Sequence, residues 1–303
     1  MKTNISAIKS LATFFGAVLF LCPMSLNAQK YAVKVYGDIG LGKAMSITTA
    51  LPGMTAKSSS NAFGVDFGYT FWRQGASSLE ANIGIGYRIA SATFDVDPMS
   101  YNYAAPASAD EDGNAYQRYV SLSSMSQKLN LGYFKIPIYL EYQYRFNKWI
   151  GLHADLGFGF GFRCAGSVGS TTGTATSYGV YPQYDDLVIK ADYLNDYGER
   201  NLESAARGNA DLGGFDANVM CGAGVEIYVA APVSIDLGVR YNAGLTQVIN
   251  GKYDITGTSE FKAETAPVTY TVAEGTQVKA LGDYTTKSRL NPFSLHVGIN
   301  IKF

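Results

Sequence analysis

The stretch FKIPIYLEYQYRF, residues 134–146, decides the fold. Every second residue from Phe134 to Phe146 is apolar or aromatic, and none of them is charged. The positions between them are mostly polar and include Lys135, Glu141 and Arg145. A period of two predicts a β-strand, because successive side chains of a strand point to opposite faces. Since one face is aromatic and the other polar, the pattern predicts a strand between lipid and the polar interior of a barrel.

Seven more segments alternate in the same way. With the first, they predict eight strands, at residues 31–41, 63–71, 79–89, 134–146, 150–163, 217–229, 233–245 and 293–303. Three connections are short, those at 73–78, 147–148 and 231–232. Four others are long: the polar stretch after the first strand, with Pro52-Gly53 and the serines Ser58 to Ser60, and those at 95–127, 164–215 and 250–290. We therefore predict an all-β fold, an eight-stranded antiparallel up-and-down transmembrane β-barrel with long extracellular loops, and with its short turns and carboxy terminus in the periplasm.

A soluble, lipocalin-like barrel is the main alternative, because it also has eight strands. Its apolar residues would point inward, and its glycines and charged residues would lie on the outer face. None of the apolar faces here carries a charge, and Gly157, Gly159 and Gly161 all fall on a polar face. Glycines in a narrow interior make room for long neighbouring side chains. The composition of the two faces therefore favours the membrane barrel.

The amino terminus predicts a secretory signal peptide, residues 1–28, followed by the barrel domain, residues 29–303. Two lysines precede an apolar run at 11–21, which is too short to span a bilayer as a helix. Cys22 suggests a lipoprotein anchor instead, but the residue before it is not small. Loss of the two lysines leaves 22 basic and 25 acidic residues, a balance that provides no basic surface for nucleic acid.

Two segments resemble a known family. The run that begins at Ile136-Pro137 and ends in Tyr-Arg-Phe is similar to the central strand of small outer-membrane β-barrel proteins of Bacteroidota-type bacteria, which are OmpA- and OmpX-like in plan. The terminal run HVGINIKF is similar to the signal that the barrel-assembly machinery reads, here carried by Val297, Ile299, Ile301 and Phe303. The resemblance implies an integral protein of the Gram-negative outer membrane, with membrane lipid and the assembly machinery as partners. Pro137 predicts a local bulge, because proline cannot donate a ladder hydrogen bond.

Charged residues on the polar faces predict a network inside the barrel. By parity it contains seven cations and seven anions: Lys34, Asp38, Asp66, Glu80, Arg88, Lys135, Glu141, Arg145, Asp155, Arg163, Glu226, Asp236, Arg240 and Lys302. An ion-selective pore is one interpretation, but such pores show an excess of one sign. The interior of an eight-stranded barrel is only wide enough for side chains. We therefore predict a closed polar lumen, with Arg88, Arg145 and Arg240 as candidate partners of Glu80, Glu141 and Asp236.

Histidines and acidic clusters do not predict a catalytic or metal site. His153 and His296 both point inward by parity, His296 near the periplasmic end, whereas an outer-membrane hydrolase needs a histidine near the outer rim or the lipid face. We therefore predict no enzymatic activity and no cofactor. Asp185-Asp186, with Asp192 and Asp196 nearby, lacks the spacing of a Ca²⁺ loop. This cluster predicts a solvated acidic loop.

Two cysteines enter an oxidising compartment, where a disulfide can form. Cys164 and Cys221 both have outward parity. Cys164 lies at the rim, while Cys221 lies several residues below the opposite rim position. This placement favours free thiols over a disulfide.

The long loops are the predicted place of recognition, because loops on a rigid scaffold often carry function. The connection 164–215 mixes Asp and Asn with tyrosines that suit contact with an extracellular protein or glycan: Tyr178, Tyr181, Tyr184, Tyr193 and Tyr197. The same composition also predicts a compact extracellular cap. In the last connection, residues 268–281 predict a hairpin that extends the barrel wall.

These patterns lead to three functional hypotheses. The first is a monomeric outer-membrane barrel with a closed lumen and a structural or surface-interaction role. The second is a porin-like transport barrel for a small solute. The third is an outer-membrane enzyme, which the position of the histidines disfavours.

Overall fold

The computed structural model describes residues 30–110, 112–190, 197–230, 232–253, 255, 261–271 and 275–303. The predicted signal peptide lies outside the described residues. Within these ranges, no helix is long and apolar enough to cross a membrane. The regular structure consists of strands and four short 3₁₀ helices, Ala107–Ala109, Pro182–Tyr184, Leu202–Ser204 and Leu281–Tyr284.

The strands are, in chain order, β1 (Tyr31–Gly40), β2 (Met45–Thr49), β3 (Met54–Gln74), β4 (Ser77–Val96), β5 (Met99–Ala105), β6 (Tyr116–Leu122), β7 (Met125–Arg145), β8 (Ile150–Thr172), β9 (Thr174–Tyr181), β10 (Leu187–Ile189), β11 (Gly198–Asn201), β12 (Ala206–Arg207), β13 (Phe215–Ala230), β14 (Val233–Gly244), β15 (Val268–Thr271), β16 (Gly275–Val278), β17 (Thr285–Leu290) and β18 (Phe293–Lys302).

Eight of these strands close into a barrel in the order β1-β18-β14-β13-β8-β7-β4-β3. Every neighbouring pair is antiparallel. Each barrel strand contains most of one predicted segment, so the predicted all-β, eight-stranded antiparallel barrel is confirmed. Closure pairs the first strand with the last and removes both free edges of the sheet.

The faces of β7 follow the predicted alternation. Ile138 and Leu140 are 44% and 53% exposed on the outside, whereas Tyr139 and Glu141 are both 3% exposed on the inside. Pro137 does not cause a bulge, and that prediction was wrong. Pairing between β4 and β7 is interrupted beside Pro137 but resumes in the same register, because the sheet tolerates one missing donor without inserting a residue.

The outward side chains of the barrel form an apolar belt with an aromatic upper edge. Five rings on adjacent strands pair directly with one another around the wall, in the order Phe63, Tyr87, Phe134, Phe162 and Phe215. On β3 the outward residues stay apolar over eight steps, from Phe63 to Phe71. At about 3.4 Å per residue this is roughly 27 Å along the strand, and a tilt of about 40° reduces it to roughly 20 Å along the barrel axis, near the height of about 25 Å of a lipid-facing band.

Beyond this aromatic edge the polarity of the wall reverses. On β4 the inward side chains become apolar and at most 2% exposed: Ala90, Ala92, Phe94 and Val96. The outward ones become polar: Ser91, Thr93 and Asp95. The strand continues without a break, so one wall has a membrane-type arrangement below this level and a soluble-type arrangement above it. The lipocalin-like alternative therefore describes the upper part of the barrel and not the belt.

The long connections are folded, which corrects their description as loops. β7 begins at Met125 and β8 continues to Thr172, so both strands extend well above the belt. A sheet of β5, β6, β9, β10 and β11 and a sheet of β12, β15 and β16 cover this end. The predicted hairpin forms between β15 and β16, but in a sheet separate from the barrel wall. We call this folded end the cap, and the end with the short connections the turn end.

Candidate functional site

The barrel interior contains more carboxylates, relative to cations, than the alternation of inward and outward residues predicted. Two predicted members lie outside it, because Arg145 and Arg163 are both exposed. One missed member, Asp216, is only 1% exposed. Five cations are at most 9% exposed there: Lys34, Arg88, Lys135, Arg240 and Lys302. Eight carboxylates share this interior: Asp38, Asp66, Glu80, Glu141, Asp155, Asp216, Glu226 and Asp236. The balance of seven against seven was therefore wrong.

At the turn end of the interior, Lys302 pairs with Glu226. The Lys302 Nζ lies 3.1 Å from Glu226 Oε1 and donates to Gln143 Oε1 at 2.8 Å. The Glu226 carboxylate also accepts hydrogen bonds from the hydroxyls of Tyr228 at 2.6 Å and Ser234 at 2.5 Å. The negative charge of Glu226 is thus satisfied inside the barrel.

The next layer holds a cation between two carboxylates. The Lys34 Nζ lies 2.6 Å from Glu80 Oε1 and 2.8 Å from Glu141 Oε2. The side chain of Gln143 donates to Glu141 Oε1 at 2.5 Å. This layer joins β1, β4 and β7 across the interior.

Both histidines lie against aspartates in the middle of the barrel. The His153 Nε2 is 2.7 Å from Asp236 Oδ1, and the His296 Nδ1 is 2.6 Å from Asp38 Oδ1. The guanidinium of Arg240 lies 3.7 Å from Asp155 and 4.0 Å from Asp38. His296 was predicted near the periplasmic end, but it is paired in register with Asp38 and lies mid-barrel. Its partners indicate a structural role.

In the layer nearest the cap, Arg88 pairs with Asp216, which the alternation pattern did not predict as an interior residue. The Arg88 Nη1 lies 3.3 Å from Asp216 Oδ2. Lys135, which is 1% exposed, donates to Asn242 Oδ1 at 3.5 Å. None of the proposed partnerships of Arg88, Arg145 and Arg240 with Glu80, Glu141 and Asp236 forms among the described residues, because parity assigns a face and not a level.

Glycines allow these side chains to fill the interior. A Cβ added at Gly68 would lie 2.5 Å from Glu80 Oε1. One added at Gly84 would collide with the Asp66 carboxylate, which accepts a hydrogen bond from the Tyr139 hydroxyl at 2.7 Å. The prediction that inward glycines make room for long side chains is therefore confirmed at these positions.

A bulge lies at the upper rim, directly after Arg163. The register between β7 and β8 shifts between Gly132 and Tyr133, so that Cys164 has no partner in the ladder. Arg163 lies at the rim, where its Nη1 donates to the Leu212 carbonyl at 2.5 Å. A one-residue bulge of this kind changes the side to which the following residues point.

Cys164 and Cys221 are free and exposed. Cys221 pairs across the ladder with Leu156, which precedes Cys164 by eight positions on β8. At about 3.4 Å per residue this separates the two cysteines by roughly 27 Å. A disulfide needs Cα atoms within about 7 Å, so these cysteines cannot pair in this fold.

The cap has a hydrophobic core inside the upper barrel. Phe94 of β4 and Leu131 of β7 line the wall, and Val268 and Leu281 fill the space between, all at most 2% exposed. The Gln127 side chain accepts a hydrogen bond from the Leu281 amide at 2.8 Å and so fixes the last connection to the wall. This core lies inside the barrel above the charged interior.

The predicted recognition tyrosines separate into buried and surface residues. Tyr181 and Tyr197 are 3% and 0% exposed and share a hydrogen bond of 2.8 Å, so they belong to the cap core. Tyr178 stacks on Tyr119 with ring centroids 5.0 Å apart. Tyr184 is 54% exposed. Tyr193 lies outside the described residues, as do Asp192 and Asp196.

A buried guanidinium organises the core tyrosines. Arg118 is 0% exposed, and its guanidinium lies 4.3 Å from the ring centre of Tyr270 and 4.7 Å from that of Tyr197. Its Nη2 donates to the Tyr116 hydroxyl at 2.7 Å. Burial raises the pKa of Tyr116 to about 12, although the neighbouring Arg118 lowers it. Tyr116 therefore stays neutral at physiological pH and accepts from the cation.

The acidic turn and the terminal strand complete the predicted sites. Asp185 and Asp186 have φ angles of 53° and 57° at the exposed turn before β10. No group of three or more His, Cys, Asp or Glu among the described residues is placed to hold a metal ion. On β18, Val297 is 37% exposed and Ile301 only 7%, while Phe303 stacks on Tyr31 at 6.2 Å. Ile301 is thus less exposed than its outward parity predicted, and the assembly signal stays a prediction.

Comparisons with solved structures find small barrels at low identity. The chain is similar to the outer membrane protein OprG from Pseudomonas aeruginosa, with a TM-score of 0.37, 12% identity and coverage of 91% of this chain and 96% of that chain. It is also similar to Neisserial surface protein A, with a TM-score of 0.31, 12% identity and coverage of 91% and 98%. A third match is the outer membrane protease OmpT from Escherichia coli, with a TM-score of 0.30, 10% identity and coverage of 91% and 94%.

A search of curated proteins finds no match. Residues 27–250 match the family described as outer membrane protein beta-barrel domain. This range includes seven of the eight barrel strands and therefore most of the apolar belt. The protein is therefore an integral outer-membrane β-barrel, and the chain belongs to the outer membrane protein beta-barrel domain family.

Proposed function

We propose that the protein is a monomeric, non-conducting outer-membrane barrel that presents its folded cap to the outside as an interaction surface. The turn end and the carboxy terminus lie in the periplasm. The observation that carries this proposal is that buried side chains fill the barrel at two levels. Charged side chains at most 9% exposed fill the belt region, and the hydrophobic core of the cap lies above them.

The cap offers a rigid surface for an extracellular protein or glycan. At the turn before β10, Tyr184, Leu187 and Val188 are 54%, 49% and 48% exposed. Apolar side chains that project from an otherwise polar surface are typical of contact sites. The stacked pair Tyr119 and Tyr178 lies on the outer face of the same sheet. Tyr178 and Tyr184 of the predicted recognition loop therefore lie in this ordered sheet and the turn beside it.

A catalytic role is disfavoured by the surroundings of the histidines. His153 and His296 are both 5% exposed and lie against aspartates inside the barrel. A substrate in the lipid or at the cell surface has no route to them through the packed interior. We therefore propose a protein without enzymatic activity or cofactor.

A cation-selective barrel is the second candidate function. Eight carboxylates against five cations give the interior the excess of one sign that ion-selective pores require. Protonation of both histidines would still leave one negative charge. Ordered packing favours the closed barrel, because a conducting path needs a continuous column of water.

Single-channel recording in a planar bilayer separates the two candidates. The wild-type protein should give no stable conductance, whereas a Lys34→Ala, Arg240→Ala and Glu141→Ala triple variant should open the interior and conduct. Lys57→Ala is the control, because the Lys57 side chain is 83% exposed on the outside of the wall. Steady cation-selective currents from the wild type would replace the closed barrel with the transport barrel.

A further inference from the structure

A cavity of about 730 Å³ opens at the turn end of the barrel. Its walls come from the short connections β3–β4, β7–β8 and β13–β14, and Gln143 and Lys302 form its floor. Cavities of roughly 300–1,000 Å³ are the usual size for small-molecule sites. Gln143 and Lys302 also belong to the hydrogen-bonded layer around Glu226, so the cavity adjoins the charged interior.

Every charged residue that lines this cavity is a cation: Arg73, Arg145, Lys148 and Lys302. The nearest carboxylate of the network, Glu226, lies inside the barrel and accepts hydrogen bonds from Lys302, Ser234 and Tyr228. Its charge therefore balances Lys302, and no Asp or Glu is among the described lining residues beside Arg145 and Lys148. Such a cluster of cations around a concave site attracts anions.

Arg145 is held in place before any ligand arrives. Its Nε donates to the Asn147 carbonyl at 3.1 Å, and its Nη2 donates to the Lys148 carbonyl at 3.0 Å. Its guanidinium also lies 4.1 Å from the ring centre of Tyr228. The guanidinium carries five N–H donors, so this arrangement fixes its plane and still leaves donors for an anion.

The lining also sets the chemical class of the anion. Arg145 and Lys148 supply charged donors, while Trp149 and Pro232 supply an apolar wall. A phosphate ester matches this lining, because its oxygens accept several charge-assisted hydrogen bonds at once and its organic part can contact the apolar wall.

We propose that this turn-end cavity binds phosphate esters. The headgroup of an anionic phospholipid and a soluble organic phosphate present the same chemistry, and both reach the cavity from the periplasmic side in the orientation proposed above. Binding itself does not depend on that orientation or on whether the barrel conducts.

Titration calorimetry of the purified barrel in a non-ionic detergent tests the proposal, with glycerol phosphate as the probe and sodium chloride at equal ionic strength in the reference. Saturable binding is expected. Arg145→Gln should weaken it about tenfold or more, since a hydrogen bond to a charged group is removed. Lys148→Gln should also weaken it and serves as a second variant, because Arg145 helps to hold its own turn. Lys57→Gln, at the cap end, should leave binding unchanged.

Nanodiscs identify the source of the phosphate. Native mass spectrometry should show retention of phosphatidylglycerol over phosphatidylcholine if the site takes a lipid headgroup, and this preference should be lost in Arg145→Gln. Binding of glycerol phosphate without lipid preference would support a soluble ligand. Absence of saturable binding by both probes, or equal losses in Lys57→Gln and Lys148→Gln, would overturn the proposal.

Discussion

Lys34 of β1 and Glu141 of β7 form an ion pair of 2.8 Å across the barrel interior, although β3 and β4 separate their strands around the wall. Glu141 is 3% exposed and Lys34 5%. Removal of one partner from a buried pair leaves an uncompensated charge. This pair therefore links opposite parts of the wall, and its loss should be measurable in stability.

Glu141→Ala should lower the free energy of unfolding by about 1–3 kcal/mol, because Lys34 keeps only Glu80 and Gln143 loses an acceptor. A double-mutant cycle with Lys34→Met should give a coupling energy of about 0.5–3 kcal/mol. Reversible denaturant unfolding in lipid vesicles provides the measurement. Lys57→Met is the matched control and should cost under about 1 kcal/mol, since its ion pair with Asp95 is exposed. If Glu141→Ala and Lys34→Met have additive effects on the free energy of unfolding, the two side chains are not coupled, and that result would contradict this link.

Ile138→Arg should destabilise the barrel by about 2–4 kcal/mol, the usual cost of arginine on a lipid face near the bilayer centre. Asn130→Arg is the control on the same strand, because Asn130 points outward above the aromatic edge. It should change stability by under about 0.5 kcal/mol. Equal costs in the same unfolding experiment would place both residues in one environment. That result would refute a boundary between lipid and water at the aromatic edge.

Phe94→Ala should destabilise the cap by about 3–5 kcal/mol, because it removes a buried ring from the cap core. The expected result is faster proteolysis of the cap on intact cells. Phe67→Ala removes the same ring from the outer face, where it is 55% exposed, and should leave proteolysis of the cap near the wild-type rate. A protease-resistant Phe94→Ala cap would show that this ring is not part of a stabilising core.

Lys57 and Lys148 lie at opposite ends of the wall, and both are exposed. A membrane-impermeant amine reagent on intact cells should label Lys57 and spare Lys148, and permeabilisation of the outer membrane should make Lys148 reactive. Peptide mass spectrometry reads both sites in one sample. Labelling of Lys148 alone on intact cells would invert the proposed orientation.

Sequence patterns predicted the belt well, because lipid imposes one rule on every strand. Ile138 and Tyr139 were assigned to opposite faces correctly, since a single uncharged face forces the register. The cap obeys the reverse rule. Its run from Ala90 to Val96 also alternates, but with the polar residues outward, so the pattern of a lipid-facing strand predicts a loop for the residues that follow.

Parity also could not determine which charges meet. Arg163 lies at the exposed rim, directly before a bulge at Cys164, and no residue type marks that bulge. Arg145 is the last residue of β7 and turns toward the connection. Asp216 was missed because β13 begins two residues earlier than its apolar pattern suggests. Partner choice depends on strand stagger and on bulges, which are set by the whole barrel.

A spin-label scan along the outward positions of β3 in a cysteine-free background, through Lys57, Ser59, Asn61, Phe63 and Phe67, tests the membrane boundary most directly. The change from water to lipid should lie between Asn61 and Phe63, at the level where the wall reverses its polarity. Accessibility to a water-soluble nickel reagent should therefore be high through Asn61, and accessibility to oxygen should be high from Phe63 onward. A gradual change along β3, or oxygen accessibility that extends to Lys57, would contradict the division of one continuous wall into a membrane part and a cap.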